Sequence, residues 1–327
     1  MAKEKKQIIS KEEMDRHIKL DPQNRWYVGR LNLLDSVNQG LTPPNKVIIK
    51  DETIREGEET PGVFMTPEEK VEIAQDIENL GIKEIEVGYP SVSKRDFDLV
   101  KILKKETNLR LSVHGRAWVP NWKEEIDVIQ ESGADIVWFI QVGSLERTRA
   151  PEVTPPELVT RAGQCIEYAK SIGLYVAFGL NTPARTDLNL VYEMYNIALD
   201  AGADRIYAAC DGGGCLKPET AAYLTRFVKD LAIQKNKNPE FAVHCHNDYG
   251  LATFNSIAAV NAGATVVDTV VNGLGDRAGN AALEEVVCIL EILYGIKTGV
   301  NIEKLYEISK KVERIAQVPI AANKAIV

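Results

Sequence analysis

The sequence has few cysteines, and their spacing excludes two common kinds of site. Five cysteines are an odd number in a chain of 327 residues, and none belongs to a Cys-x-x-Cys pair. This pattern argues against a disulfide framework and against a thiolate zinc site. We therefore expect all five to be reduced packing residues, with Cys215, in a glycine-rich loop, as the one most open to another role.

Charge and hydropathy exclude further classes of protein. No apolar run approaches the roughly 18 residues of a membrane span, and the Lys- and Glu-rich N-terminus lacks an apolar signal core. The net charge of −8 gives no basic footprint for nucleic acid. These features predict a cytoplasmic protein without membrane or nucleic-acid partners, in which acidic ligands would need local arginines.

A repeated pattern runs along the chain, in which a glycine that ends a helix is followed by a short run that favours a strand. Glycine past a helix end supplies the left-handed backbone that stops the helix, and β-branched residues start the strand. Each occurrence therefore predicts a step from helix to strand. The five glycines are Gly81, Gly133, Gly173, Gly202 and Gly263.

The spacing of these units predicts a (β/α)8 TIM barrel, since eight alternations over about 250 residues fit that fold better than a doubly wound sheet. We expect a leader at 1–45, the barrel at 46–298, and a tail at 299–327 with one extra helix near 302–316. The predicted strands lie near 47–51, 83–88, 109–115, 135–141, 174–181, 204–210, 240–246 and 265–271. The predicted helices include 67–80, 155–172, 188–201, 218–234, 251–262 and 281–294.

Polar residues follow the predicted strand ends. Active sites of such barrels lie at the carboxyl ends of the strands, so we expect these side chains to share one rim. They are Asp51, Arg55, Glu56, Glu86, His114, Asn181, Arg185, Asp211, His244, His246, Asn272 and Asn280.

His244 and His246 are the most specific metal signal in the sequence. Two positions apart at the end of a predicted strand, they project from one face and can hold one ion. Glu56 could add a carboxylate and Asn280 an amide oxygen. Such mixed ligands suit Mg²⁺, Mn²⁺, Zn²⁺ or Co²⁺, and ligand type alone does not choose among them. The alternative is two polar residues that close a strand.

A 2-oxo acid is the substrate class that such an ion suits. It offers a ketone and a carboxylate oxygen one bond apart, so one ion can hold the molecule and polarise its carbonyl. Arg55, next to Glu56, can stabilise an oxyanion or enolate at that carbonyl. The residues therefore predict carbon–carbon bond chemistry.

Four motifs resemble those of the DRE-TIM metallolyase superfamily, which includes 2-isopropylmalate, homocitrate and citramalate synthases and HMG-CoA lyase. They occur in the family's order, and the resemblance covers residues 47–327. The motifs are DETIREG at 51–57, EIEVGYP at 84–90, HCHNDYGLA at 244–252 and NGLGDRAGN at 272–280.

The resemblance implies metal ligation by Glu56, His244 and His246, with Asn280 close to the ion or its bound water. It also implies that Arg55 stabilises the developing oxyanion.

Asp51 and Glu86 are implied as polar partners at the reacting centre. Arg185 matches an arginine that helps to position the substrate, and its alternative is a surface residue paired with Asp187. His114 is either a substrate contact or a packed histidine at a strand end.

Two positions depart from the family pattern. Glu59 stands where the synthases usually have Gln, which adds a negative charge by the site. Gly212 stands where the family usually has Thr, so a hydroxyl donor is lost, and the neighbouring glycines leave room for a bulkier or differently oriented group.

Three basic residues in loops, Lys217, Arg147 and Arg149, are expected to be solvated charges. The alternative is that they contact a second carboxylate or a CoA phosphate.

The glycine-rich loop and the segment 318–327 resemble the synthases more than HMG-CoA lyase, and the loop lacks the cysteine that the lyase carries. In the synthases this segment leads into a further subdomain. We therefore expect either a truncated form or an enzyme that works without that subdomain.

The predicted function is a divalent-metal-dependent acyltransferase of amino-acid biosynthesis. It would condense acetyl-CoA, or a related acyl-CoA, with a 2-oxo acid to give a 2-hydroxy dicarboxylic acid. The alternatives are cleavage by a lyase or aldolase, and a non-catalytic metal-binding barrel. The family resemblance implies a homodimer.

Overall fold

The computed structural model describes residues 28–141 and 154–327. Eight strands pair in parallel, each with its neighbour in the chain, and the first closes on the last. The predicted closed barrel is therefore confirmed. The strands are β1 Ile48–Asp51, β2 Glu84–Gly88, β3 Arg110–Gly115, β4 Ile136–Gln141, β5 Tyr175–Leu180, β6 Arg205–Asp211, β7 Glu240–Cys245 and β8 Val266–Thr269.

Nine α-helices surround the barrel or follow it in the described chain. They are α1 Pro67–Asn79, α2 Lys94–Glu106, α3 Trp122–Ser132, α4 Pro155–Ser171, α5 Leu188–Asp200, α6 Pro218–Gln234, α7 Ala252–Asn261, α8 Leu283–Cys288 and α9 Leu305–Ala316. Every predicted strand is present, with its ends displaced by at most one or two residues. The helix predicted at 281–294 is shorter, because a π-helical turn at Ile289–Leu293 replaces its second half.

Local signals explain where these helices begin and end. Helix α1 begins with a capping box, in which the Thr66 hydroxyl accepts from the Glu69 amide and the Glu69 carboxylate accepts from the Thr66 amide. Helix α3 ends at Gly133, whose φ of 88° is the left-handed backbone that favours glycine. The glycine at the helix end is the signal from which the sequence predicted this boundary.

The core has two layers. Inside the barrel, Trp138 stacks on Tyr207 with ring centroids 3.9 Å apart, at the centre of a small apolar cluster. A larger layer lies between the strands and the helices, and helix α9 contributes Leu305 and Val312 to it. The tail therefore packs on the barrel, while the proposed boundaries at 45 and 298 stay predictions.

Part of the predicted leader lies outside the described residues, which begin at 28. Of the rest, Leu34 is buried and the Thr42 amide donates to the Asn261 carbonyl at 2.8 Å. Among the residues that the structure describes, no helix combines the length and apolarity needed to cross a bilayer. The five cysteines are free, and all except Cys215 are buried.

A buried ion pair holds the end of the barrel where the strands begin. Arg205 is fully buried and donates to Glu84 Oε2 at 3.0 Å and to Glu240 Oε2 at 2.7 Å. Glu84 is also buried. The arginine therefore neutralises a carboxylate that has left water.

We expect Arg205→Met to lower the free energy of unfolding by about 3–5 kcal/mol, because Glu84 would remain as an uncompensated buried charge. The matched control is Arg110→Met, since Arg110 approaches the same carboxylate at 3.4 Å but is 42% exposed. That control should cost less than about 1 kcal/mol. Guanidinium unfolding measures both losses, and equal losses would contradict the assignment.

Candidate functional site

A cavity of about 180 Å³ opens at the carboxyl ends of the strands. Arg55 and Glu56 reach it from the turn after β1, while His244 and His246 reach it from the end of β7. Glu59 belongs to the same turn as Arg55 and Glu56, and the other lining residues come from five further strand ends or loops: Tyr89, Ile140, Asn181, Cys210, Gly212 and Asp276. Side chains distant in sequence therefore meet at one rim.

Glu56, His244 and His246 form a compact set of potential metal ligands. Their donor atoms lie within 4.8 Å of one another, and all three residues are buried. The two Nε2 atoms of the histidines are 3.1 Å apart, and His246 Nε2 lies 3.6 Å from Glu56 Oε1. Asn280 is paired with His246 in a β-bridge, and its amide nitrogen lies 3.5 Å from His244 Nε2.

The chemistry of this set fits a divalent cation. Within the described residues, Glu56 Oε1 and Asn280 Oδ1 are buried without a hydrogen-bond partner. Burial raises the pKa of the Glu56 carboxyl to about 7, although Arg55 and His244 oppose the shift. Burial and the neighbouring His244 lower the pKa of His246 to about 2. A cation would stabilise the carboxylate and accept the lone pair of the neutral imidazole.

Two further carboxylates contact His244 at Nδ1, the ring nitrogen that does not face His246. Its Nδ1 atom lies 3.0 Å from Glu52 Oε2 and 3.3 Å from Asp268 Oδ2, so Nε2 is left facing His246. Burial alone would lower the pKa of His244, but the two carboxylates hold it well above its usual value. A histidine whose second nitrogen meets a carboxylate is typical of metal ligands.

Sequence reasoning missed the roles of Glu52 and Asp268. Glu52 lies inside the first motif, one residue from Asp51, and Asp268 interrupts an apolar strand. The available signal was an acidic residue, Asp268, in an otherwise apolar strand. The contact of this residue with His244 could be found only once the barrel had placed the two strands side by side.

Arg55 is held among acidic groups. Its Nε donates to Glu86 Oε1 at 2.5 Å, and its Nη1 donates to Glu59 Oε1 at 3.0 Å and also to Glu56. Burial would lower the pKa of this guanidinium, but Glu56 and Glu86 raise it well above its usual value. Arg55 is therefore a fixed positive charge at the cavity wall.

His114 lies beside Arg55 and is also packed. Its Nε2 is 2.6 Å from Arg55 Nη2 and 2.6 Å from Glu86 Oε1, and its ring stacks on Tyr89 with centroids 4.6 Å apart. Burial lowers its pKa to about 4, despite the attraction of Glu86. The residue is thus a neutral packed imidazole that contacts the arginine, which agrees with the predicted packed histidine, while a contact with the substrate stays a prediction.

Some predicted site residues do not reach the cavity. Asp51 is buried and accepts from the Thr53 amide and hydroxyl, both at 2.9 Å, so it shapes the turn after β1. Burial raises its pKa to about 7. Asn272 donates to the Ser309 carbonyl at 2.9 Å and therefore anchors helix α9.

Arg185 and Lys217, two of the predicted charged residues, are exposed. Arg185 is exposed, and its guanidinium carbon lies 3.5 Å from the point that a Cβ on Gly213 would occupy. Lys217 is exposed at the N-terminus of helix α6. Arg147 and Arg149 lie outside the described residues.

The space beside Gly212 is filled, which corrects the expectation that the glycines leave room. A Cβ at Gly212 would lie 1.7 Å from Asn181 Oδ1 and 3.1 Å from the Asn181 carbonyl oxygen. A Cβ at Gly214 would lie 1.8 Å from Asp248 Oδ2. The Asn181 amide therefore supplies a polar group close to where a side chain at position 212 would stand.

We expect Gly212→Ala to cost about 1–3 kcal/mol, because the added methyl group forces the Asn181 side chain out of place. The loss should shrink when Asn181→Ala is already present, since the contact at 1.7 Å is then gone. A double-mutant cycle measured by denaturant unfolding provides the coupling. Equal losses in both backgrounds would show that the two residues do not compete for this space.

Comparisons with known proteins agree with this architecture. The HMGL-like family model matches residues 46–312. The chain is 41% identical over 285 residues to a probable 2-isopropylmalate synthase of Ignicoccus hospitalis, which covers 87% of this chain and 69% of the relative. It is 38% identical over 287 residues to a homocitrate synthase of Methanopyrus kandleri, with 87% and 70% covered.

The fold is also similar to a solved structure of HMG-CoA lyase from Bacillus subtilis. The TM-score is 0.70 at 23% identity, over 86% of this chain and 98% of that one. The chain spans between 54% and 71% of the length of the curated relatives it matches. On the family match and the sequence identity, the chain belongs to the HMGL-like family.

Proposed function

We propose that this chain carries the catalytic barrel of a divalent-metal-dependent enzyme that condenses an acyl-CoA with a 2-oxo acid. One observation carries the proposal: a fixed arginine and a three-residue set of potential metal ligands face the same cavity. A storage or structural metal site needs the ligands but has no use for Arg55. The similarity to a 2-isopropylmalate synthase and a homocitrate synthase supports the same class of reaction.

Glu56, His244 and His246 would hold the ion, with Asn280 beside it. A bound divalent cation would supply Lewis-acid polarisation of the substrate ketone. Mg²⁺, Mn²⁺, Zn²⁺ and Co²⁺ all suit one carboxylate, two imidazoles and an amide oxygen.

Arg55 would stabilise the negative charge that develops on the ketone oxygen as the new carbon–carbon bond forms. Glu86 fixes its direction, because the carboxylate accepts from the arginine Nε and also contacts Nη2, while Nη1 meets Glu56 and Glu59. The guanidinium needs no reorganisation when the charge appears, since its geometry is set before the substrate binds.

The substrate would lie between Arg55 and the opposite wall formed by Asn181 and Gly212. Glu59 is 44% exposed and paired with Arg55, so a bound carboxylate would have to share this guanidinium with it. Arg185 would meet a distal carboxylate or the acyl-CoA at the outer edge, and His114 would support the arginine rather than the substrate. Activity as a homodimer in the cytoplasm is part of the same proposal.

Metal binding is the first test. Glu56→Gln and His246→Ala should each weaken Co²⁺ or Mn²⁺ binding by at least about 100-fold, because each removes a ligand and leaves its partners poorly placed. Glu59→Gln is the matched control, since it removes a carboxylate of the same cavity that lies outside the ligand set. Isothermal titration measures all three affinities, and an equal effect in the control would contradict the assignment of the ligands.

Activity is the second test. With the metal supplied, the chain should release free thiol from acetyl-CoA only when a 2-oxo acid is present. Arg55→Lys should lower kcat by about 10²–10³-fold while metal affinity stays within a few-fold, because a lysine cannot present the same planar pair of donors. A panel of 2-oxo acids with thiol detection measures the rate.

The outcomes separate the competing functions. Cleavage of 3-hydroxy-3-methylglutaryl-CoA without a 2-oxo acid would select the lyase reaction instead. A chain that binds metal but turns over neither kind of substrate, and whose metal affinity Arg55→Lys does not change, would be a non-catalytic barrel.

A further inference from the structure

Lys50 lies in strand β1 and is fully buried inside the barrel, one residue before the carboxyl end of that strand. Its ammonium lies 2.5 Å from Glu86 Oε2, 2.7 Å from Glu52 Oε1 and 3.4 Å from Asp268 Oδ2. It also stands over the ring of Trp138, 4.3 Å from the centroid. One lysine thus meets three carboxylates that come from three different strands or strand ends.

Each of these carboxylates also contacts Arg55 or His244, which belong to the site. Glu86 accepts from Arg55 Nε at 2.5 Å through its second oxygen. Glu52 reaches His244 Nδ1 at 3.0 Å through its own second oxygen, and Asp268 reaches the same nitrogen at 3.3 Å. Lys50 is therefore one contact away from both the arginine and the histidine.

The number of donors and acceptors explains why a lysine suits this place. An ammonium has three hydrogens, and a buried one is tolerated only where carboxylates or other acceptors take them. Burial would lower the pKa of Lys50, but Asp268, Glu52 and Glu86 hold it well above its usual value. The residue is a permanent cation.

The same contacts explain why a second group of potential metal ligands needs no ion. Glu52, His244 and Asp268 lie close enough together to hold an ion of their own. The Lys50 ammonium already touches both of the carboxylates. It supplies the positive charge there, so His244 stays free to offer Nε2 to the cavity.

We propose that Lys50 is a positioning residue that orients Arg55 through Glu86 and His244 through Glu52 and Asp268. It links the two halves of the site, the arginine and the metal ligands, from below. Its effect on metal binding stands independently of the reaction, whereas its effect on turnover rests on the proposed function.

The alternative is that Lys50 only neutralises buried acid and helps the chain to fold. Arg205 provides the matched comparison, because it is a buried cation paired with carboxylates at the opposite end of the same barrel. Loss of either cation should reduce stability. Only loss of Lys50 should change the metal site in the molecules that remain folded.

The experiment titrates Co²⁺ into the full chain and its Lys50→Met and Arg205→Met variants, under conditions in which each is folded. The visible spectrum of Co²⁺ reports ligand geometry. We expect Lys50→Met to weaken Co²⁺ binding by about 10- to 100-fold, as loss of an outer-shell partner does, and to alter the spectrum. Arg205→Met should leave affinity and spectrum as in the unaltered chain. Lys50→Gln, which keeps a hydrogen-bond donor without the charge, is the second variant if Lys50→Met does not fold.

Turnover supplies a second readout. Lys50→Met should lower kcat more than it raises KM for the 2-oxo acid, because Arg55 loses its direction while the cavity keeps its walls. Unchanged Co²⁺ affinity and spectrum in the Lys50 variants, or equal changes in Arg205→Met, would overturn the proposal. Absence of Co²⁺ binding by the unaltered chain would instead overturn the proposed function.

Discussion

The buried carboxylates beneath and beside the cavity set the constraint on which the rest of the site depends. Glu52, Glu56, Glu86 and Asp268 are each at most 2% exposed. A carboxylate that has left water must be paired, hydrogen-bonded or protonated. Two permanent cations, Lys50 and Arg55, contact these groups. When His244 is neutral, as a metal ligand must be, two negative charges remain among these six groups, and a single divalent ion at the ligand set would balance them.

This charge balance explains how the charged side chains are arranged from the barrel interior to the cavity. Lys50 neutralises Glu52 and Glu86. Glu52 in turn orients His244, and Glu86 orients Arg55. Glu56 is left with one unpartnered oxygen toward the two histidines, at the point where a cation would serve it best. The substrate would meet a site already arranged around positive charge.

Much of this could be predicted from the sequence. The glycine stops at Gly81, Gly133 and their equivalents are local signals, so the alternation of helices and strands, and with it the barrel, followed from them. The residues that follow strand ends were also within reach, because parallel strands bring their carboxyl ends to one rim. His244, His246, Arg55 and Glu56 do line the cavity.

The rest depends on contacts between distant strands. Lys50 and Asp268 meet only because β1 pairs with β8, and a charged residue in a buried strand gives no sign of its partner. Asp51 was expected at the reacting centre, but its hydrogen bonds to Thr53 turn it into a local structural group. The competition of Asn181 with a side chain at position 212 depends on the close approach of two loops.

The most direct test of this account is anomalous diffraction from crystals of the chain grown with Mn²⁺ and a 2-oxo acid. We expect one strong peak between Glu56, His244 and His246, with Lys50 still in contact with Glu52 and Glu86. An absent peak, or a peak between Glu52 and Asp268 with the lysine displaced, would contradict the charge balance proposed for this site.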